Sequence, residues 1–383
     1  MTAIDTATTT ESQAAESVDA PALLGPWALM WRQFRRHKIA YFSLYIVGFI
    51  YLVALFGEFL APSDYLATNT RAPFAPPQGV HVFTEGEDGS RDFQLHAYGL
   101  KMEIDREAMR RHFVEDPEKI IPLGFFVEGY EYKLLWLIPT NRHFFGPKNP
   151  ADKVYFFGAD RLGRDILSRI IMGTRISMSI GLVGVAVSLI VGVSLGGFSG
   201  YYGGWVDNAI QRLIEFLRSI PTIPLWMGLA AAIPLDWPPL RTYFVVTLIV
   251  SMIGWTTLAR EVRGKFLSLR HEDFVTAARL DGLSDWEVIR KHLVPSFASH
   301  IIASLTLAVP LMILAETSLS FLGIGLQPPI VSWGTLLKEA QNIRTIIEAP
   351  WLLIAPGSVI VIAVLALNFL GDGLRDAADP YAQ

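Results

Sequence analysis

The side chains that could do chemistry in this chain are few, and they sit in or beside long apolar runs. Arg212, Glu215 and Arg218 recur every three residues, and His300 and Glu316 stand nearly alone. At membrane depth such groups pair with one another or line a polar path, because hydrocarbon cannot solvate a charge. The spacing puts Arg212, Glu215 and Arg218 on one helical face. They read first as a mutually paired ladder near the headgroups, and second as the wall of a polar pathway. Glu316 could meet a substrate or pair locally, and His300 reads as a packed, hydrogen-bonded histidine rather than a ligand. His271-Glu272 lacks the second His of a zinc-protease helix, and no short stretch gathers His and carboxylates, so neither a metal site nor a catalytic residue is expected. With no cysteine, disulfide, thiolate and zinc-thiolate chemistry are excluded. The one Gly-Lys pair, Gly264-Lys265, is followed by Phe266, so no phosphate-binding loop is present. Any nucleotide chemistry must come from another polypeptide.

The elements that must hold these groups are membrane spans. Of 383 residues, 51% are hydrophobic and 18% charged, with a mean hydropathy of +0.37. A soluble domain carries about 25% charged residues. Disorder, a collagen-like fibre and a nucleic-acid binder are excluded, the last because a net charge of −4 offers phosphates no basic field. Six runs are long enough to cross: 39–60, 176–199, 208–233, 242–259, 297–315 and 350–371. The second carries no charge over 24 residues, about 36 Å of helix against a hydrocarbon core of about 30 Å. Six spans put both termini on one side. The link between the fourth and fifth holds Arg260, Arg263, Lys265, Arg270, Arg279, Arg290 and Lys291, whereas the link before it holds Arg241 alone. Short-loop positive charge therefore places the basic link and both termini in the cytoplasm.

Residues 1–26 read as a disordered cytoplasmic tail. Residues 27–60 give an interfacial helix and the first span: Trp27, Trp31 and Phe34 mixed with Arg32, Arg35, Arg36 and Lys38 suit the lipid headgroup layer. An external, periplasmic insertion over 61–165 follows, and 166–383 forms the transmembrane core. Within the insertion, 80–84 and 91–97 flank a turn-rich bridge and predict a hairpin. The stretch 105–115 has helical spacing, and 119–127 with 132–138 predict a second hairpin turning at 128–131. The expected class is an all-α polytopic membrane protein with a small α/β external insertion. So small an insertion builds only a modest core, and should lean on the membrane domain or on a partner.

The basic link carries the most information. Residues 273–282 read as a short helix stopped by Gly282, and Ser284 with Glu287 satisfies the capping-box rule for a second helix ending before Pro295. Small Ala277 and Ala278 admit close approach, Phe274 and Leu280 offer apolar anchors, and Arg279 and Asp281 offer polar pairing. This is the form of a helix that fits a partner's groove.

Here the sequence resembles the permease subunits of ATP-binding-cassette importers. Their cytoplasmic Glu-Ala-Ala signature has Gly three residues on, and Ile-x-Leu-Pro nine further. This chain has Thr276-Ala-Ala278, Gly282 and His292-Leu-Val-Pro295 at that spacing. Thr276 stands for Glu, which removes a carboxylate contact but not the helix-turn-helix shape. The stretches Gly158-Ala-Asp-Arg-Leu-Gly-Arg-Asp165, Phe321-Leu-Gly-Ile-Gly-Leu-Gln-Pro-Pro329 with Trp333-Gly334, and Asn368-Phe-Leu-Gly-Asp-Gly-Leu-Arg-Asp-Ala-Ala-Asp-Pro380 resemble the second permease of the oligopeptide, dipeptide and nickel group.

The resemblance implies the type I importer permease fold. It implies coupling to ATPase subunits through Phe274, Ala277, Ala278, Arg279, Leu280, Asp281, Gly282 and Pro295. It also implies an external rim of Asp160, Arg164, Asp165, Gln327, Pro328 and Trp333, the first three on an amphipathic helix. The implied partners are a homologous second permease, two ATPase subunits holding ATP and Mg, a substrate-binding protein and membrane lipid. Peptides are the expected cargo, with oligosaccharides or a nickel complex as the alternative. A secondary transporter is the rival class; it would show repeated broken helices around an ion site. Gly192 and Gly196 of the second span read as close helix packing rather than a substrate groove.

Overall fold

The structure is a computed structural model that describes residues 26–85, 91–105, 110–234 and 236–378. Apart from Pro26, the expected N-terminal tail lies outside the described residues. The chain opens with α1 (Pro26–Arg36), α2 (Lys38–Leu55) and the single turn α3 (Gly57–Leu60). Four strands follow: β1 (His81–Glu85), β2 (Arg91–Asp105), β3 (Arg110–Leu134) and β4 (Ile138–Pro147). The remainder is helical. It runs through α4 (Ile166–Tyr202), α5 (Gly204–Ser219), α6 (Thr222–Ala231), α7 (Pro239–Leu269) and α8 (Asp273–Leu280). Next come α9 (Asp285–Val288), a π-helical turn (Ile289–Leu293), α10 (Val294–Ser296) and α11 (Ala298–Phe321). Short α12 (Trp333–Glu339) and α13 (Ile343–Glu348) lead to α14 (Trp351–Ala378).

Among the described residues five helices, α2, α4, α7, α11 and α14, are long and apolar enough to cross a membrane. The expected third span is instead two pieces. Ile220 adopts an extended conformation before Pro221, because the proline ring disfavours a helical residue ahead of it. The amphipathic α5 therefore stops, and the apolar ten-residue α6 starts after the break. At 37 residues α4 is about 55 Å long, well beyond the hydrocarbon thickness, so its ends project into water.

The helices pack around α4, which lies along α7 and against α11, while α14 packs on α2 and α11. Met178, Val185, Val250, Ile313, Leu319 and Leu367 form part of one buried cluster across these elements. Glycines allow the α4–α7 contact: a Cβ on Gly200 would lie 2.7 Å from the Arg263 carbonyl oxygen, and one on Gly192 3.1 Å from that of Trp255. Phe34 of α1 is buried against α14, while Leu29 and Trp31 stay exposed.

The insertion is a four-stranded antiparallel sheet in the order β1-β2-β3-β4. The first predicted hairpin is present as β1 and β2, and its tip lies outside the described residues. Two other expectations are corrected. The stretch 110–115, read as helical, is strand: Val114 pairs with Lys101 and Phe113 with Met102, so cross-strand packing overrides local spacing. The second hairpin turns at Leu135 and Trp136, not at 128–131. There β3 continues through a bulge, with the register slipping between Glu128 and Tyr132. No helix occurs among the described residues of the insertion.

Candidate functional site

The α8–α9 element is built as its residues require. Gly282, at φ +84°, takes the left-handed position that ends α8. Leu283 N donates to Ala278 O at 3.2 Å and Gly282 N to Arg279 O at 3.0 Å, the paired bonds of a Schellman stop. Ser284 and Glu287 then cap α9 reciprocally, Ser284 N donating to Glu287 Oε2 at 3.1 Å. Lys291 Nζ donates to the same carboxylate at 2.9 Å, and with the Ser284 bonds it holds the Glu287 carboxyl down at about 2. The second helix does not end before Pro295 but runs through it to Ser296. The π turn just ahead widens the helix where the proline lacks an N–H.

One face of this element is buried. Val275, Ala278, Val288, Ile289 and Leu293 pack with Tyr201 of α4 and Phe266 of α7. Ala278 therefore serves internal packing, and only Ala277 remains outward for another chain. The opposite face presents Phe274 at 40% exposure, Leu280 at 83% and Trp286 at 54%, beside exposed Arg279, Asp281, Gly282 and Pro295. A Cβ at Gly282 would meet nothing within 4 Å.

Polar ties join this element to the spans. Tyr201 Oη donates to Asp285 Oδ1 at 2.5 Å, and Arg279 Nε donates to Tyr201 Oη at 3.1 Å. Nearby, Arg263 of α7 grips Asp207 of α5 through two bonds, 2.5 and 2.6 Å, while Ser199 of α4 donates to the same carboxylate. Such charge-assisted forks fix relative helix position more firmly than apolar contact does. These bonds tie α8 and α9 to α4, and α4 in turn to α5 and α7.

Near that junction, α6, α7 and α11 form most of a cleft of about 410 Å³, completed by Ser188 of α4 and Arg375 of α14. Its polar lining includes Thr257, Glu261, Ser304 and Arg375, and His300 Nε2 stands 4.0 Å from Glu261 Oε2. His300 thus faces a cavity rather than packed side chains. Of the predicted pathway residues, Arg212 and Glu215 pair with each other at 2.9 Å on an exposed face, and only Arg218 reaches the cleft margin, at Thr257, 3.4 Å away. Glu316 is fully buried and pairs locally: Ser320 and Ser332 each donate to its Oε1 at 2.7 Å.

At the other end of the helices, 159–165 is a tight turn rather than the amphipathic helix expected there. Asp160, fully buried, accepts from the backbone of Leu162 and Arg164 and from the guanidinium groups of Arg164 and Arg169. Both arginines also reach Glu339 of α12 at 3.0 Å, so two positive and two negative groups close a buried network. Asp165 caps α4 by accepting from Ser168 N at 2.8 Å, and its burial pushes the carboxyl up to about 6. Trp333 is buried between α4 and α11, donating to Ser177 and Thr174. Asp160, Asp165 and Trp333 thus hold the rim together and are not themselves presented on it. Gln327 and Pro328 do line an open cleft of about 600 Å³, together with Trp237 and Thr242.

Comparison with known proteins places this geometry. Residues 188–382 match the family of binding-protein-dependent transport system inner membrane components, and residues 25–77 match the N-terminal TM domain of oligopeptide transport permease C. The chain belongs to this transport family. It is 39% identical over 226 residues to the glutathione transport system permease protein GsiD of Pectobacterium atrosepticum, covering 59% of this chain and 72% of that protein. It is 37% identical over 238 residues to the dipeptide transport system permease protein DppC of Alkalihalophilus pseudofirmus, covering 61% and 76%. A solved chain of the MetNI methionine ABC transporter superposes with a TM-score of 0.43 at 17% identity, covering 56% of this chain and 98% of that one.

The chain is thus a multi-pass inner-membrane permease subunit of a transport system, and not an enzyme. The family's transport systems depend on a binding protein. The two family matches take in α1 to α3 and then the last part of α4 through α14, leaving the whole sheet and the first part of α4 between them. Sequence reasoning missed Trp286, the Asp207–Arg263 fork and Glu261. All three lie in or beside charged runs, where nothing in spacing separates a structural ion from a solvated one.

Proposed function

We propose that this permease forms half of a peptide pathway, paired with a homologous second permease and driven by two ATPase subunits that hold ATP and Mg. Peptide cargo is supported by the names of the similar proteins, which include dipeptide, oligopeptide and glutathione permeases. One observation carries the mechanical part: a capped helix pair, buried on one face and exposing Phe274, Leu280 and Trp286 on the other. An ATPase groove that takes this face moves α8 and α9 when the nucleotide site closes. Tyr201 and the Asp207–Arg263 fork pass the movement to α4, α5 and α7, and the cleft at Glu261 and His300 changes access. The coupling contacts are Phe274, Ala277, Arg279, Leu280, Asp281 and Gly282, with Trp286 added. On this reading the α8–α9 side and both termini face the cytoplasm, and the sheet faces the periplasm, in agreement with the short-loop charge.

The test is uptake by the assembled transporter in vesicles. Labelled di- to oligopeptides should enter only with ATP, the ATPase subunits and the binding protein. Gly282→Trp should leave ATP hydrolysis running while uptake falls to background, and Gly282→Asn should transport normally, since Asn tolerates the left-handed backbone. Uptake of oligosaccharide or a nickel complex in place of peptide would overturn the cargo, and normal uptake by Gly282→Trp the coupling.

A further inference from the structure

The β3–β4 turn has the wrong residues for water. Trp136 N donates to Lys133 O and Leu137 N to Leu134 O, each at 3.1 Å, and Leu135 and Trp136 both take positive φ, 51° and 63°. Two successive turn positions of this hand call for Asn, Asp or Gly, because a bulkier side chain at positive φ strains the backbone. Here the tip reads Leu134-Leu135-Trp136-Leu137-Ile138. Trp136 is 63% exposed, Leu137 81% and Ile138 58%. Five consecutive apolar residues at an exposed, strained turn need a cover that the chain itself does not supply.

The depth of the tip identifies that cover. The Trp136 ring lies 4.8 Å from the Arg175 guanidinium. Arg175 in turn pairs with Glu58 and donates to Ala54 O at 2.9 Å and Leu55 O at 3.3 Å, at the very end of α2. It is also the last charge on α4 before an uncharged run reaching Gly204 and beyond, to Asp207. Two spanning helices therefore place Trp136 at one level, where each passes from hydrocarbon to headgroups. Tryptophan favours that layer, since its ring is apolar and its N–H is polar. The hairpin is held there from above: His143 Nδ1 is bonded to Glu58 O at 3.0 Å, and Phe59 packs on Phe126 and Phe144.

We infer that the β3–β4 hairpin is a lipid-anchored finger, whose tip at Trp136, Leu137 and Ile138 inserts into the outer leaflet beside α2 and α4. Lipid covers the apolar tip, and the headgroup layer receives Trp136 against Arg175. The finger ties the sheet to the bilayer surface and fixes its height above the permease. This inference rests on α2 and α4 crossing the membrane and on the proposed orientation of the sheet, and not on the cargo or the ATPase contact.

The chain has no cysteine, so a single one can be introduced without background. Leu137→Cys and Ile138→Cys, each made in the full-length chain assembled with its partner subunits, would carry a bimane label. The complexes would be reconstituted into vesicles of phosphatidylcholine and phosphatidylglycerol with doxyl-labelled phosphatidylcholine. Exposed Glu118→Cys, on β3, is the water-side reference. The finger predicts strong quenching by the shallow doxyl lipid at 137 and 138, and reaction with a membrane-impermeant maleimide several-fold slower than at 118. Reaction as fast as at 118 without quenching would overturn it. So would a benzophenone at 137 that crosslinks to another subunit rather than to lipid.

Discussion

Tyr201 closes α4 with a hydrogen bond of 2.5 Å to Asp285, 84 residues further along the chain, while Arg279 stacks on the same ring, 4.9 Å from its centre. This one phenol joins the end of the longest helix to both halves of the coupling element. Tyr201→Phe keeps the ring packing and removes the bond. A hydrogen bond to a charged group contributes about 1.5–3 kcal/mol, and less where water competes. The expected outcome is a loss of about fivefold in peptide uptake per ATP hydrolysed, with ATPase activity retained. Asp285→Asn in the same background should add little, and a full second loss would show that the two residues act separately.

The glycines of α4 set how closely it approaches α7. A side chain at Gly200 meets the Arg263 carbonyl and the Phe266 Cβ, neither of which can swing aside. Gly200→Leu should therefore destabilise the permease by about 1–3 kcal/mol through overpacking. It should also separate Arg263 from Asp207. Thermal unfolding in detergent reads the first effect, and faster trypsin cleavage in the 260–272 segment reads the second.

Asp165 makes stability depend on pH. Its folded-state carboxyl titrates at about 6, above the ordinary 3.8, because burial disfavours the charged form and the Asp160 charge adds to this. The favourable contribution is thus fully present below about pH 4 and is lost as pH rises through about 6. A shift of about two units corresponds to about 3 kcal/mol. Thermal stability should fall between about pH 4 and 6 and level off above, and Asp165→Asn, an equally good helix cap, should flatten that slope.

The membrane half was legible because lipid excludes charge: where uncharged runs occur, long helices occur. The cap at Ser284 and the stop at Gly282 were legible for a related reason, since each uses a local residue signature. The broken third span was half visible in Pro221 and Pro224, whose effect on the helix hydropathy does not record. The insertion was misread where tertiary pairing outweighed local preference. Gly129 looked like a turn but forms a bulge packed against the His143 ring, and the true turn carries Leu and Trp with no turn chemistry at all. Asp160 and Glu316 were visible as charges but not as buried, because burial depends on what the fold packs over them: Glu339 of α12 closes the arginine network around Asp160, and Ser332, beyond the end of α11, bonds Glu316.

The outward face of the coupling element can be interrogated at its most exposed apolar residue. Leu280→Cys, alone in a chain without cysteine, would be fitted with a short photo-crosslinker in membranes containing the whole transporter. The account predicts a single covalent adduct with an ATPase subunit, its yield changing when ATP is trapped. Absence of any ATPase adduct, with label at position 280 reacting as freely as in the permease alone, would contradict it.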